Sequence, residues 1–235
     1  MGSSAFQFKK FEIRQEGVAH PLGTDAVLLG AWAPAAGMRR ALDIGTGSGV
    51  IALMLAQRNE NLRIDAVEIH PASAARAQEN VRRSPWMDRI QVWETAVQDF
   101  QGGPYDLIVS NPPYFSETIV SPDEHRRRAR ATAALKPGDL ILHARRLLAP
   151  EGLLCLILPV PEGRRLQEMA ATQGLYCNVL IDLHTRPDAP PERSLLQFSR
   201  APLPFKKSAS ALFDAAGRFV EPFAALVEPF YLGRQ

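Results

Sequence analysis

The sequence predicts an α/β fold: a doubly wound, mostly parallel sheet of seven strands, preceded by a short N-terminal extension. Three observations predict it. From residue 41 onward, short apolar runs alternate with helical patterns of ten or more residues, as parallel strands joined by crossover helices require. The first of these strands ends in a glycine-rich turn, "LDIGTGSGV" (42–50), that opens a helix. The fourth runs into "SNPPYFSE" (110–117), whose paired prolines fit neither a helix interior nor a central strand.

The elements follow in chain order. "FQFKKFEIRQ" (6–15) nearly alternates apolar and polar residues and predicts a strand or hairpin. "TDAVLLGAWA" (24–33) starts on Thr-Asp and predicts a short helix. "ALDI" (41–44) is the first sheet strand and 48–58 a helix. "LRIDAVEI" (62–69) is the second strand, and 71–83, with Pro at its first turn, a helix. "IQVWET" (90–95) and "YDLIVS" (105–110) are the third and fourth strands. A helix over 136–149, a strand over 152–159 and a helix over 162–174 come next. "LYCNVLIDLH" and "RSLLQFSR" are the last two strands, and the tail "FVEPFAALVEPFYL" reads as a helix packed on the sheet.

Composition narrows the class. At 235 residues the chain can bury one full core, and 46% hydrophobic with 22% charged residues suits a soluble globular protein. No apolar run approaches the ~20 residues of a membrane span, and no secretory leader is visible. Cys155 and Cys177 stand in apolar runs without CxxC spacing, and the five histidines lack metal-ligand spacing. Reduced thiols, no metal and a cytoplasmic location are therefore expected. Net charge is only +2, but "HRRRAR" (125–130) concentrates positive charge directly after the proline corner. Trp32, Trp86 and Trp93 read as core or interface anchors.

The glycine turn carries the first functional signal. Gly45, Gly47 and Gly49 allow positive φ and close approach of a ligand to a helix N-terminus. Glu68 ends the second strand, where a carboxylate can accept ribose hydroxyls. A dinucleotide turn reads GxGxxG; this one reads DxGxGxG, with Asp43 at the strand end. That acid would repel a pyrophosphate but suits a ligand carrying an ammonium group. S-adenosylmethionine has an ammonium, a ribose and an adenine, so it is favoured over NAD. The bland alternative is a glycine turn with no ligand.

The proline corner carries the second. In a doubly wound sheet the fourth strand lies beside the first, so Asn111, Pro112, Pro113 and Tyr114 would project next to the cofactor. An exocyclic amine conjugated with a ring is a poor nucleophile because its lone pair is delocalised. The Asn111 side-chain carbonyl and the Pro112 carbonyl, held by the ring of Pro113, would accept its N–H atoms. Tyr114 would offer a flat face to a planar base or amide. An ordinary Asn-Pro turn is the alternative for "NP" alone.

"LDIGTGSG" together with "SNPPY" resembles the class I methyltransferases that modify amino nitrogens, which have Rossmann-like sheets. "FKKFEI…HPLGTDAVLLGAWAP", "IDAVEI", "AQEN…SPW", "DLIVSNPPY" and the closing "FYL" resemble the bacterial tRNA1(Val) adenine-37 N6-methyltransferase family over nearly the whole chain. The resemblance implies S-adenosylmethionine as cofactor, tRNA as partner, and methylation of an anticodon-loop adenine. A glutamine amide of a release factor or an rRNA base are the alternative targets, and an RNA-binding module without catalysis is a third reading.

By position, the resemblance places Asp43, Gly45 and Gly47 at the methionine end, Glu68 at the ribose, and Thr24 over the cofactor. Thr46, Gly49, Ile69, Ala96, Val97 and Asn111 complete the expected cofactor set. Family members commonly carry an acid where Ala96 stands; either Asp99 replaces it, or the backbone at Ala96 and Val97 reads the adenine. Lys9, Lys10, Arg14, Arg126, Arg127, Arg128 and Arg130 are the expected phosphate contacts. The expected organisation is one domain, with 1–35 closing over the cofactor and 36–235 as core, and a monomer is favoured.

Overall fold

A computed structural model describes residues 5–112 and 135–232. Two short antiparallel strands, β1 (Phe6–Gln7) and β2 (Glu12–Ile13), form the N-terminal hairpin. Helix α1 (Thr24–Trp32) follows, then β3 (Arg40–Ile44), α2 (Val50–Arg58), β4 (Arg63–Glu68) and α3 (Pro71–Arg82). After β5 (Ile90–Glu94) and β6 (Tyr105–Ser110) come α4 (Pro137–Leu147), β7 (Leu148–Pro159) and α5 (Val160–Thr172). The described chain closes with β8 (Tyr176–His184), β9 (Pro191–Ser199), β10 (Lys206–Ala211) and α6 (Phe223–Val227).

The main sheet has the order β10-β8-β9-β7-β6-β3-β4-β5. Strands β3 to β7 run parallel, β9 is antiparallel to both β7 and β8, and β10 is parallel to β8. Successive connections step outward from β3 through β4 to β5, then return to β6 on its other side. The switch point therefore falls between β3 and β6.

Both sheet faces are covered because consecutive strand residues point to opposite sides. Ala41, Leu107, Val109 and Cys155 join one apolar cluster with α1, α2 and α3. Leu42, Ile108, Leu154 and Leu156 join the other with Leu140, Ala144 and Leu147 of α4 and Leu166 and Ala170 of α5. This is why β3 and β6 carry apolar residues on both faces.

The sheet has eight strands, not the expected seven. The extra strand, β10, is "KKSASA" and is largely exposed. It pairs through its backbone along one edge of β8, so no apolar alternation marks it. The tail also differs from expectation. Proline is disfavoured in a helix interior, and Pro222 and Pro229 flank a helix of five residues. Phe223, Val227 and Phe230 pack toward α1 in the first cluster, rather than laying a long helix on the sheet. Tyr231 bridges Phe8, and the Lys9 N–H donates to the Phe230 carbonyl at 2.8 Å, tying tail to hairpin.

Trp86 packs edge-on against Phe11, and Trp32 is partly buried against the first cluster. Trp93 is 45% exposed on edge strand β5, its indole N–H donating to Asp65 Oδ1 at 2.8 Å, so it is not a core anchor. Cys155 and Cys177 are free thiols. Among the described residues, no helix is long and apolar enough to cross a membrane, and no cluster of His, Cys, Asp and Glu is placed to hold a metal.

Gly30 sets the approach of α1 to α2: a Cβ there would stand 2.9 Å from Met54 Sδ and 3.1 Å from Met54 Cβ. Gly30→Val is expected to destabilise the protein by about 1–3 kcal/mol through overpacking, read as a lower denaturant midpoint.

Candidate active site

The turn between β3 and α2 is held by its backbone. Gly45, Gly47 and Gly49 all have positive φ, at 71°, 57° and 85°. A Cβ at Gly45 or Gly47 would meet nothing within 4 Å, so both face open space. At Gly49 it would make an ordinary contact with Ala77 of α3 at 3.5 Å, so the positive φ, not packing, calls for glycine there. The Gly45 and Thr46 amides donate to the Val67 carbonyl at 2.9 and 3.1 Å, which fastens the turn to β4.

Glu68 is clamped at the end of β4. Its Oε2 accepts the Gly47 amide and its Oε1 the His70 amide, each at 2.9 Å. Each oxygen keeps acceptor capacity for a further donor.

Asp43 is fully buried. Its Oδ2 accepts the Thr46 hydroxyl at 2.6 Å, while Oδ1 is buried with no hydrogen-bond partner. Burial pushes this carboxyl up to about 7; the Thr46 hydroxyl and the nearby Ala52 amide oppose the shift, and the Glu68 charge adds to it. An ionisable acceptor left unpaired beside an open glycine turn is chemically matched to a cationic donor. The residues present therefore fit a ligand with an ammonium at one end and hydroxyls within reach of Glu68.

The second strand of the switch point meets this turn directly. Ser110 is in register with Ile44, and its hydroxyl donates to the Ile44 carbonyl at 2.7 Å. Asn111 therefore emerges beside Gly45; it is half-buried and Pro112 is buried. Pro113, Tyr114, Arg126, Arg127, Arg128 and Arg130 lie outside the described residues.

Around this centre, Thr24 is exposed at the first turn of α1. Ile69 is 47% exposed directly after Glu68. Ala96 is half-buried, Val97 is buried and Asp99 is exposed. The Ala96 carbonyl accepts the Asp99 and Phe100 amides, and the Val97 carbonyl accepts Arg146 at 3.3 Å. Both carbonyls are thus already engaged within the protein. Lys9 is bonded to the Glu228 carboxylate and carbonyl, and Arg14 pairs with Glu12 at 3.2 Å and Glu79 at 3.5 Å. Lys10 is exposed.

Two polar residues of this neighbourhood escaped the sequence reading. Ser110 locks β6 to β3, and Asn80 of α3 bonds the Ser48 carbonyl at 2.8 Å. Asn80 had a signal: it falls in the buried row Ser73, Ala77, Asn80 of an otherwise amphipathic helix, where an amide needs partners.

A family model described as "Methyltransferase small domain" matches residues 23–160, from the N-cap of α1 to the start of α5. With the doubly wound sheet, this makes the chain a class I methyltransferase, an enzyme class that implies S-adenosylmethionine. The tRNA1(Val) (adenine(37)-N6)-methyltransferase of Tolumonas auensis is 42% identical over 233 residues, covering 99% of this chain and 98% of that protein. The enzyme of the same name from Parabacteroides distasonis is 42% identical over 236 residues, covering 99% of each. The chain belongs to the tRNA1(Val) (adenine(37)-N6)-methyltransferase family.

Solved structures share the fold alone. A predicted O-methyltransferase from Agrobacterium tumefaciens superposes with a TM-score of 0.68 at 19% identity, over 90% of this chain and 100% of that one. The ribosomal protein L11 methylase of Lactobacillus delbrueckii gives 0.56 at 18% identity, over 80% and 83%.

Without ligand, the raised folded value of Asp43 makes its stability contribution greatest below the unfolded carboxylate range. That contribution is lost as pH rises toward about 7. Asp43→Asn is therefore expected to raise the thermal midpoint of the ligand-free protein at pH 8, with the gain fading toward pH 4.

Proposed function

We propose that the chain transfers the methyl group of S-adenosylmethionine to N6 of adenine 37 in tRNA1(Val), in the cytoplasm. The observation that carries the reading is the Ser110–Ile44 register, which sets Asn111 beside the glycine turn. The full-length similarity to relatives bearing that enzyme's name supports the choice of substrate.

When bound, S-adenosylmethionine supplies an electrophilic methyl on its sulfonium. In the proposed arrangement, Asp43 Oδ1 accepts from the ammonium, and the Thr46 hydroxyl keeps that carboxylate oriented. Glu68 accepts the ribose hydroxyls with the capacity its two amide bonds leave free. Gly45 and Gly47 leave room for the ligand, and Gly49 supplies the positive φ that leads into α2. Thr24, Ile69, Ala96 and Val97 border the adenosine, the last two through groups other than their occupied carbonyls.

The Asn111 side-chain oxygen and the Pro112 carbonyl accept the two N–H atoms of the target amine. These bonds favour a localised lone pair on nitrogen and fix its direction, so they strengthen in the transition state. Pro113 holds the Pro112 carbonyl, and Tyr114 stacks on the base. A loop base costs little to unstack, which suits a pocket of this kind. Lys10, Arg126, Arg127, Arg128 and Arg130 contact phosphates. Lys9 and Arg14 act there only by sharing charge with their carboxylate partners.

Asn111→Ala is expected to lower methyl transfer about 100-fold or more, on the scale of losing one transition-state hydrogen bond, while cofactor affinity changes little. Radiolabelled S-adenosylmethionine with unmodified total tRNA, followed by nucleoside analysis, reads both activity and site. Label in N6-methyladenosine of one tRNA is the expected result; label in a release factor instead would overturn the substrate assignment. Cofactor affinity is also expected to rise with pH through about 7, because Asp43 must ionise to hold the ammonium. Calorimetry in buffers of different ionisation heat should show a proton released on binding near pH 6.

A further inference from the structure

We infer that Asn80 is a positioning residue for the cofactor turn: its buried carboxamide ties the glycine turn to the segment leading into α1. The inference rests on the cofactor reading above. Asn80 is a buried polar residue of α3 and has no part in the scheme so far.

The carboxamide uses both of its donors and its acceptor. Nδ2 donates to the Ser48 carbonyl at 2.8 Å and to the Arg14 carbonyl at 3.0 Å, and Oδ1 accepts the Arg14 amide at 3.1 Å. Turning the group over would set its NH2 against the Arg14 N–H and its oxygen against two carbonyls, so the network dictates its orientation. Ser48 lies between Gly47 and Gly49. At the other end Asn80 pairs with both backbone groups of one residue, as a neighbouring strand would.

Beyond Arg14 the chain stays fastened to α3. Arg76 donates to the Glu16 carbonyl at 2.9 Å, and the Ala19 amide donates to Ser73 Oγ at 3.1 Å. Within the segment the Leu22 amide donates to Gln15 Oε1 at 2.7 Å. The segment ends at Gly23, and Thr24 begins α1, whose Asp25 pairs with Arg193 of β9 at 2.8 Å.

A turn built on three glycines has little side-chain packing to define it, so bonds to its neighbours set its shape. Those neighbours are Asp43, the Val67 carbonyl, Glu68 and Asn80. Among these bonds, those of Asn80 also reach the N-terminal segment. One buried side chain thus sets the two walls of the cofactor site, the turn and the approach to Thr24, relative to each other.

The test uses the full chain, steady-state kinetics with tRNA, and hydrogen exchange of residues 14–22 with and without S-adenosylhomocysteine. In the unaltered protein the probe should slow exchange there. Asn80→Ala should raise KM for S-adenosylmethionine about tenfold, roughly 1.4 kcal/mol, with kcat at saturating cofactor little changed. The probe should no longer protect residues 14–22. An unchanged KM, or protection retained there, overturns the inference. So does a fall in kcat alone with a lower unfolding midpoint, which is the pattern of a merely structural residue.

Should Asn80→Ala not fold, Asn80→Ser decides, since its hydroxyl can satisfy one freed backbone group but is too short to span from Ser48 to Arg14. It should show the same pattern at smaller size, and unchanged KM with unchanged protection overturns the inference. If the unaltered protein does not bind S-adenosylhomocysteine at all, the cofactor reading itself fails and takes the inference with it.

Discussion

At the end of β3 a carboxylate sits fully out of water, one oxygen bound by the Thr46 hydroxyl and the other unpartnered, and the surrounding structure is organised around keeping it there. An unpaired buried charge is among the most expensive features a fold can hold. Asp43 is held by position. It lies in the central strand, in register with Ala66 on one side and Val109 on the other, and the apolar neighbours Leu42 and Ile44 anchor it in the opposite cluster. Its burial raises the carboxyl toward neutrality and leaves Oδ1 as an unpartnered acceptor. Local cost of this kind concentrates where a site is preorganised for a ligand.

The turn above it is shaped by the same economy of backbone bonds. Glu68 spends one acceptor position per oxygen on amides of the turn and of α3, which makes it a structural clamp before any ligand arrives. Ser110 does the equivalent for the opposite wall, fastening the end of β6 to the end of β3. The glycine turn and Asn111 are thereby joined through two adjacent strand ends, with no loop needed to bring them together. That adjacency follows from the reversal of strand order at β3 and β6.

The N-terminal hairpin and the C-terminal tail form a third layer on the helix side. Phe8 stacks on Phe11 at 4.5 Å and on Tyr231 at 5.9 Å between ring centroids, and Phe11 meets Trp86 edge-on. Lys9 and Arg14 belong to this layer as ion-pair partners, so their charge is partly spent within the fold.

Most strands and helices were legible in the sequence because burial imposes a period on side chains. β6 lies at 105–110 as read, and α2, α3, β4 and β5 differ by a residue or two at their ends. Gly45, Gly47, Glu68 and Asp43 were legible for a related reason, since a turn with positive φ and an acid at a strand end leave residue types that stand out locally. β10 was not, because an edge strand paired through its backbone needs no apolar pattern. The tail was misread because its prolines shorten the helix, while its partners, Phe8 and α1, lie at the far end of the chain. By itself, then, the sequence determined the sheet class and the glycine turn, both written in neighbouring residues. Only the tertiary structure decided that Asp43 keeps an unpartnered oxygen, that Lys9 pairs with Glu228, and that Asn80 joins Ser48 to Arg14. Each of those depends on burial or on partners brought together by the fold, and local sequence pattern does not name those partners, even where, as at Asn80, it marks a buried polar group.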